Sequence, residues 1–179
     1  TKSRGQYLDL LEVAVKEDPR CPRNAFYYAR ELTFHGKWSE AIDRLNYYLA
    51  MPEANWPNER SYAMRLLGKC YEELGSWDEG LTWLRRACAE APRTREPWCS
   101  LAATCYRRGM WEECFAAASN ALKITDKQLV YTMDPSVWGE KPWDYASIAA
   151  WNLGLKEEAA QLCKKALELA PTDNRLINN

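Results

Sequence analysis

Arg30 and His35 stand with four residues between them, and His35 is the chain's one histidine. An imidazole so placed could pass a proton near neutral pH while the guanidinium held a phosphate. Three acidic pairs, Asp78-Glu79, Glu112-Glu113 and Glu157-Glu158, could offer oxygen atoms to a cation. Seven cysteines could hold a soft metal or exchange disulfides. Each of these has a plainer account in the helices that carry it. His35 immediately precedes Gly36, a turn residue, and each acidic pair begins three residues after such a glycine. There it occupies the first turn of a helix, where negative charge complements the helix dipole by about 0.3–1 kcal/mol. The cysteine count is odd and no Cys-x-x-Cys pair occurs. Cys70, Cys88, Cys99, Cys105, Cys114 and Cys163 take helical positions that want a small apolar residue, so they read as reduced, partly buried thiols. That usage points to the cytoplasm, with no metal and no cofactor. There is no glycine-rich phosphate loop, no Ser/His or Cys/His set, and no acidic pair at a pocket-like spacing. The segment is read as non-catalytic.

The elements that position these residues follow from one stretch. Trp98, Leu101, Ala102 and Cys105 recur at steps of three and four, Gly109 interrupts, and Trp111, Cys114, Phe115, Ala118 and Ala121 resume the spacing. This is a hairpin of two amphipathic helices with an apolar face still uncovered, and such a unit needs copies of itself on either side. The same turn recurs at Gly36, Gly75 and Gly154, so the glycine-to-glycine steps are 39, 34 and 45 residues.

A period of 34 residues is that of the tetratricopeptide repeat. The chain resembles that family most closely in its second unit, where Leu67, Gly68, Tyr71, Gly75, Trp77, Leu84, Ala87 and Pro92 take the signature positions. Gly80 stands where the family has alanine, which is expected to cost about 1 kcal/mol in helix propensity and leave the packing intact. The resemblance implies an all-α fold, a right-handed α-solenoid of stacked hairpins. The expected map of 1–179 is one domain: a leading helix in 1–19, repeats at 22–52, 59–92, 95–125 and 143–171, an inserted loop at 126–142 and a tail at 172–179.

Composition sets outer bounds. The chain is 47% apolar and 27% charged with a net charge of −1, which suits one soluble unit and gives no basic field for nucleic acid. No run of eighteen apolar residues and no secretion signal is present, so no membrane is expected. The start at Thr1 suggests a piece of something longer.

The tetratricopeptide resemblance places the first helix of each pair on a concave surface. The inward positions would be Arg23, Phe26, Tyr27 and Arg30, then Tyr62, Arg65 and Lys69, then Tyr106 and Arg107, then Tyr145 and Trp151. Mixed aromatics and cations suit an extended peptide or an anionic group. Aromatics at helical spacing equally serve a core, and exposed cations are commonly just solvated. The carboxylate clamp known for this fold would need basic and amide groups at Phe26, Arg30, Leu66, Glu96 and Ser100, and only Arg30 is cationic. A glycan held on Tyr27, Tyr62, Tyr106 or Trp151, and a homodimer formed through the leading helix, are the competing partners.

Phe26-Tyr27-Tyr28-Ala29-Arg30-Glu31-Leu32, Glu59-Arg60-Ser61-Tyr62-Ala63, Trp138-Gly139-Glu140-Lys141-Pro142 and the ending from Pro171 to Asn179 resemble the repeat segment that follows the catalytic domain in bacterial family 2 glycosyltransferases. This resemblance implies a nucleotide-sugar domain ahead of Thr1, and with it a groove that holds a glycan or the protein substrate of the sugar transfer. The Asp-x-Asp metal motif of that family is absent from these residues, so sugar transfer itself is not expected here. The Arg30-x4-His35 spacing is also similar to that of a family of helical ribonucleases. The repeat register already accounts for both residues.

Overall fold

The structure, a computed structural model, describes residues 4–177. Residues 1–3 of the leading segment and Asn178-Asn179 of the tail lie outside the described residues. Among the described residues all regular structure is helical, and no helix is long and apolar enough to cross a membrane.

The chain divides into two compact units, Thr1–Glu90 and Ala91–Asn179. The first holds α1 (Arg4–Glu17), α2 (Pro22–Phe34), α3 (Trp38–Ala50), α4 (Pro57–Glu73) and α5 (Trp77–Glu90). Pro22 and Pro57 open their helices at the first turn, where a missing N–H costs nothing. Each hairpin then closes on the same device. In the α2–α3 turn the Gly36 N–H donates to Thr33 O at 3.2 Å and the Lys37 N–H to Leu32 O at 3.0 Å. That pair of bonds satisfies the last carbonyls of α2 and requires the left-handed conformation Gly36 adopts, with φ of 69°. Gly75, Gly109 and Gly154 repeat it.

In this unit α2 packs on α3, α3 on α4, α4 on α5, and α2 also meets α4. Phe26, Leu32, Leu45, Tyr48 and Leu67 are fully enclosed, and α1 covers one flank with Leu8, Leu11 and Val15. Arg60 pins the α3–α4 loop: its Nη1 donates to Leu49 O at 3.1 Å and Ala54 O at 3.0 Å, and its Nε to Glu90 Oε1 at 2.8 Å.

The second unit holds α6 (Arg95–Arg107), α7 (Trp111–Lys123), a 3₁₀ turn at Pro135–Trp138, α8 (Lys141–Asn152), α9 (Lys156–Leu169) and the short α10 (Asn174–Ile177). Its interior is built of small side chains, among them Ala102, Cys105, Cys114, Ala118, Ala146 and Ala149, which let α6, α7 and α8 approach closely. The long insertion is held down by α6. Arg95 Nε donates to Ile124 O at 2.8 Å and Nη1 to Val137 O at 3.4 Å, and its guanidinium lies 4.1 Å from the centre of the Trp138 ring. Glu96 accepts the Asp134 N–H at 3.1 Å, and Asp134 caps the 3₁₀ turn by accepting the Ser136 N–H at 2.9 Å.

Candidate functional site

In the first unit the helical period sorts α2 into two stripes. Ala25, Phe26, Ala29 and Leu32 turn into the core, which leaves Arg23, Tyr27, Arg30 and Phe34 on the other side at steps of four, three and four. In α4 the buried set Ala63, Leu66, Leu67 and Cys70 likewise leaves Tyr62, Arg65 and Lys69 outward.

On this face each cation rests on an aromatic ring. The Arg23 guanidinium lies 5.7 Å and that of Arg30 4.6 Å from the centre of Tyr27, and Arg30 also lies 5.8 Å from Phe34. Arg65 lies 5.2 Å from the Tyr62 ring, and the Lys69 ammonium 5.7 Å from that of Trp38 at the start of α3. Stacking holds the long side chains in place and leaves guanidinium edges able to donate. Arg30 Nε is out of solvent without a hydrogen-bond partner, and Arg30 Nη2 reaches Glu31 Oε1 only at 3.5 Å.

Phe26 is a correction to the expected set. It is 0% exposed, and its ring meets Tyr27 and Tyr62 at 5.7 Å and Tyr48 at 5.3 Å. It therefore supports the contact face from below by joining α2, α3 and α4, and no ligand reaches it. Burial also removes Leu66 from any clamp, and Glu96 is spent on the insertion.

In the second unit Tyr106 and Tyr145 lie against each other with ring centres 5.6 Å apart, and burial raises the Tyr145 phenol above its ordinary range. Arg107 is exposed and donates to Thr104 Oγ1 at 3.1 Å on its own helix. Trp151 is 61% exposed, with the Lys156 ammonium 5.7 Å from its ring. Tyr106, Ile148, Trp151, Ala160 and Cys163 line a cleft of about 470 Å³. The cleft residues Ile148, Lys156 and Cys163 escaped the sequence reading because no period distinguishes a helix edge that a neighbour covers from one that it leaves bare. A second cleft, of about 460 Å³, lies among Leu49, Met64, Trp83 and Arg86 in the first unit, with Arg86 4.7 Å from the Trp83 ring. It too was unforeseen.

Among the described residues no group of three or more His, Cys, Asp or Glu is arranged to hold a metal ion. His35 is exposed at the end of α2, its N–H donating to Glu31 O and Leu32 O.

The family model described as Tetratricopeptide repeat matches residues 29–93. Residues 29–93 are thus similar to the tetratricopeptide repeat. The match runs from the middle of α2 to just beyond α5, and so takes in most of the cation-and-aromatic face. No curated protein matches the sequence. Solved structures show the same fold over nearly the whole chain. YrrB, described as a TPR protein with an unusual peptide-binding site, is 17% identical with a TM-score of 0.67 over 97% of this chain and 80% of its own. MamA from Desulfovibrio magneticus is 16% identical with a TM-score of 0.71, over 96% of this chain and 88% of its own. A thermophilic TPR protein of Thermus thermophilus is 21% identical with a TM-score of 0.59, over 98% and 87%. At these identities the likeness is one of fold: all-α, of tetratricopeptide-like hairpins in the solenoid class.

Proposed function

We propose that the chain is a non-catalytic tetratricopeptide scaffold that holds a peptide or protein segment on the α2–α4 face of its first unit. The observation that carries this reading is the ordered set of cations on aromatic rings, Arg23 and Arg30 on Tyr27 and Arg65 on Tyr62. Prearranged side chains lose little entropy when a ligand arrives, and exposed aromatic edges supply contact area. YrrB, which shares the fold, is described as having a peptide-binding site. Selection from displayed random twelve-residue peptides tests the reading. Enriched peptides should bind saturably to the protein and lose binding to the Arg30→Glu/Arg65→Glu variant at unchanged helicity. Equal capture by that variant removes the assignment.

Trp151 favours a second reading, a glycan module in which a sugar ring stacks on the exposed indole beside Tyr106. Neutral oligosaccharides should then perturb tryptophan fluorescence in the protein and not in Trp151→Ala. The resemblance of Phe26–Leu32, Glu59–Ala63 and Trp138–Pro142 to the repeat segment of family 2 glycosyltransferases supports a place for this scaffold as an accessory region of such a polypeptide. The gene sequence ahead of the Thr1 codon decides that point, and the lack of a nucleotide-sugar domain there would remove it.

A further inference from the structure

We propose that the cleft among α3, α4 and α5 of the first unit is a second site, one that takes a small organic monoanion, a single carboxylate on an apolar body. It is independent of the peptide reading above. On α4, Arg60 and Met64 line the cleft at a step of four, while Tyr62, Arg65 and Lys69 lie on the other side of the helix. Its volume, about 460 Å³, falls in the range of small-molecule sites. The apolar lining is firmly seated: Met64 is buried, and Leu49 and Trp83 pack against the core of the unit. The charged lining is Arg60, Arg86 and Glu90, two cations to one carboxylate.

Trp83, Arg86 and Glu90 follow one another at steps of three and four and so share one stripe of α5. Glu90 is taken by Arg60, whose Nε donates to Glu90 Oε1 at 2.8 Å while its Nη1 holds the carbonyls of Leu49 and Ala54. Arg86, one turn from Glu90, rests instead on the Trp83 ring at 4.7 Å and makes no ion pair among the described residues. Arg60 Nη2 is a further donor with no bond among the described residues. Two guanidinium groups thus share one carboxylate, and the cleft keeps a surplus positive charge that a bound monoanion neutralises. Both groups are held beforehand, Arg60 by two carbonyls and Arg86 by the indole, so an arriving carboxylate meets donors that need little ordering. A phosphate monoester carries roughly two charges and would leave one facing Glu90. A bare inorganic anion would leave Leu49, Met64 and Trp83 wet, whereas an alkyl or aryl group on the carboxylate takes that surface out of water.

The test follows the indole N–H signals of the whole, isotope-labelled chain by NMR, with the Trp83 signal identified by its loss in Trp83→Phe. Sodium octanoate should shift that signal saturably. It should bind at least about tenfold more tightly than octanol, which lacks the charge, or sodium acetate, which lacks the apolar body. Arg86→Gln should weaken octanoate about tenfold with circular dichroism unchanged, because Arg86 is exposed. Ala89→Glu, at an exposed position of the lining, should weaken it as well by adding a like charge. Arg23→Gln, on the α2–α4 face, should bind octanoate as the parent chain does. Equal binding of octanol, or octanoate binding that Arg86→Gln leaves intact, would overturn the anion, and equal binding of acetate would overturn the apolar body. A shift confined to other indole signals, or no saturable shift, would overturn the site. If acetyl-Gly-Ser-Leu with a free carboxylate bound more tightly than octanoate and its amide did not, the occupant would be the end of a protein chain and the small molecule would be overturned. Peptide capture on the α2–α4 face is read separately by the Arg30→Glu/Arg65→Glu variant, so either proposal can fail while the other stands.

Discussion

Gly80 on α5 faces the carbonyl oxygen of Gly68 on α4 so closely that a Cβ on Gly80 would lie 3.0 Å from it. A Cβ on Gly68 would lie 2.8 Å from both Cγ and Cδ2 of Leu84, which is itself buried. The two glycines set how near α4 and α5 come, and alanine at Gly80 would add helix propensity only by pressing on a backbone atom.

Gly68→Ala should therefore destabilise the protein. Overpacking costs about 1–3 kcal/mol, against a propensity gain of about 1 kcal/mol. A fall in Tm of roughly 2–6 °C is expected by circular dichroism. An unchanged or higher Tm would mean that Leu84 can be displaced freely.

The hairpins were legible because each level of the sequence points the same way. The apolar period, the glycine at the turn and the acidic first turn of the next helix all mark the same joints at Gly36, Gly75, Gly109 and Gly154. The binding face was legible only in part. A period of 3.6 sets Phe26 and Tyr27 about 100° apart on α2 but does not say which of the two aromatics the neighbouring helices cover, and in the fold one is core while the other is half exposed. The anchoring of the insertion was not legible at all. Arg95 and Glu96 look like ordinary charged residues at a helix start, and only the return of the chain at Ile124, Asp134 and Val137 makes them fasteners.

Arg95→Met should loosen that insertion without unfolding the helices. It removes two charge-assisted bonds to carbonyls and the contact with Trp138. Losses of about 1.5–3 kcal/mol in local stability would raise the open fraction roughly ten- to a hundredfold. Trypsin should then cut after the exposed Lys127 faster by a similar factor, read by mass spectrometry, with helicity nearly unchanged. Wild-type cleavage rates in the variant would show that the insertion is held by other contacts.

Thiol labelling should follow burial. Burial pushes the Cys70 and Cys114 thiols up to about 12, so almost no thiolate is present at pH 8, and both side chains are enclosed. Cys21 and Cys163 are only half buried. Iodoacetamide at pH 8 should modify Cys21 and Cys163 first, and Cys70 and Cys114 only at the rate of unfolding. Early modification of Cys114 would contradict the packing of α6, α7 and α8.

Alkaline pH should weaken the fold through Tyr48. This phenol is fully enclosed and donates to Glu59 Oε1 at 2.6 Å, and burial first, then the bond to Glu59, raises it above its ordinary value of 10. Below about pH 10 the phenol is neutral in both states, and its buried hydrogen bond contributes in full. Above that pH the unfolded chain releases the proton while the folded one keeps it, so stability is lost as pH rises. Tyr28, raised to about 12 by burial and by its bond to Glu40, acts in the same direction. Tyr48→Phe should cost about 1–2 kcal/mol at pH 7, where the bond is lost. It should also flatten the decline above pH 10, because phenylalanine has no proton for the unfolded state to release. Urea midpoints for the two proteins should therefore draw together between pH 10 and 11, and parallel curves would show that the Tyr48 hydroxyl is not sealed from water by α3 and α4.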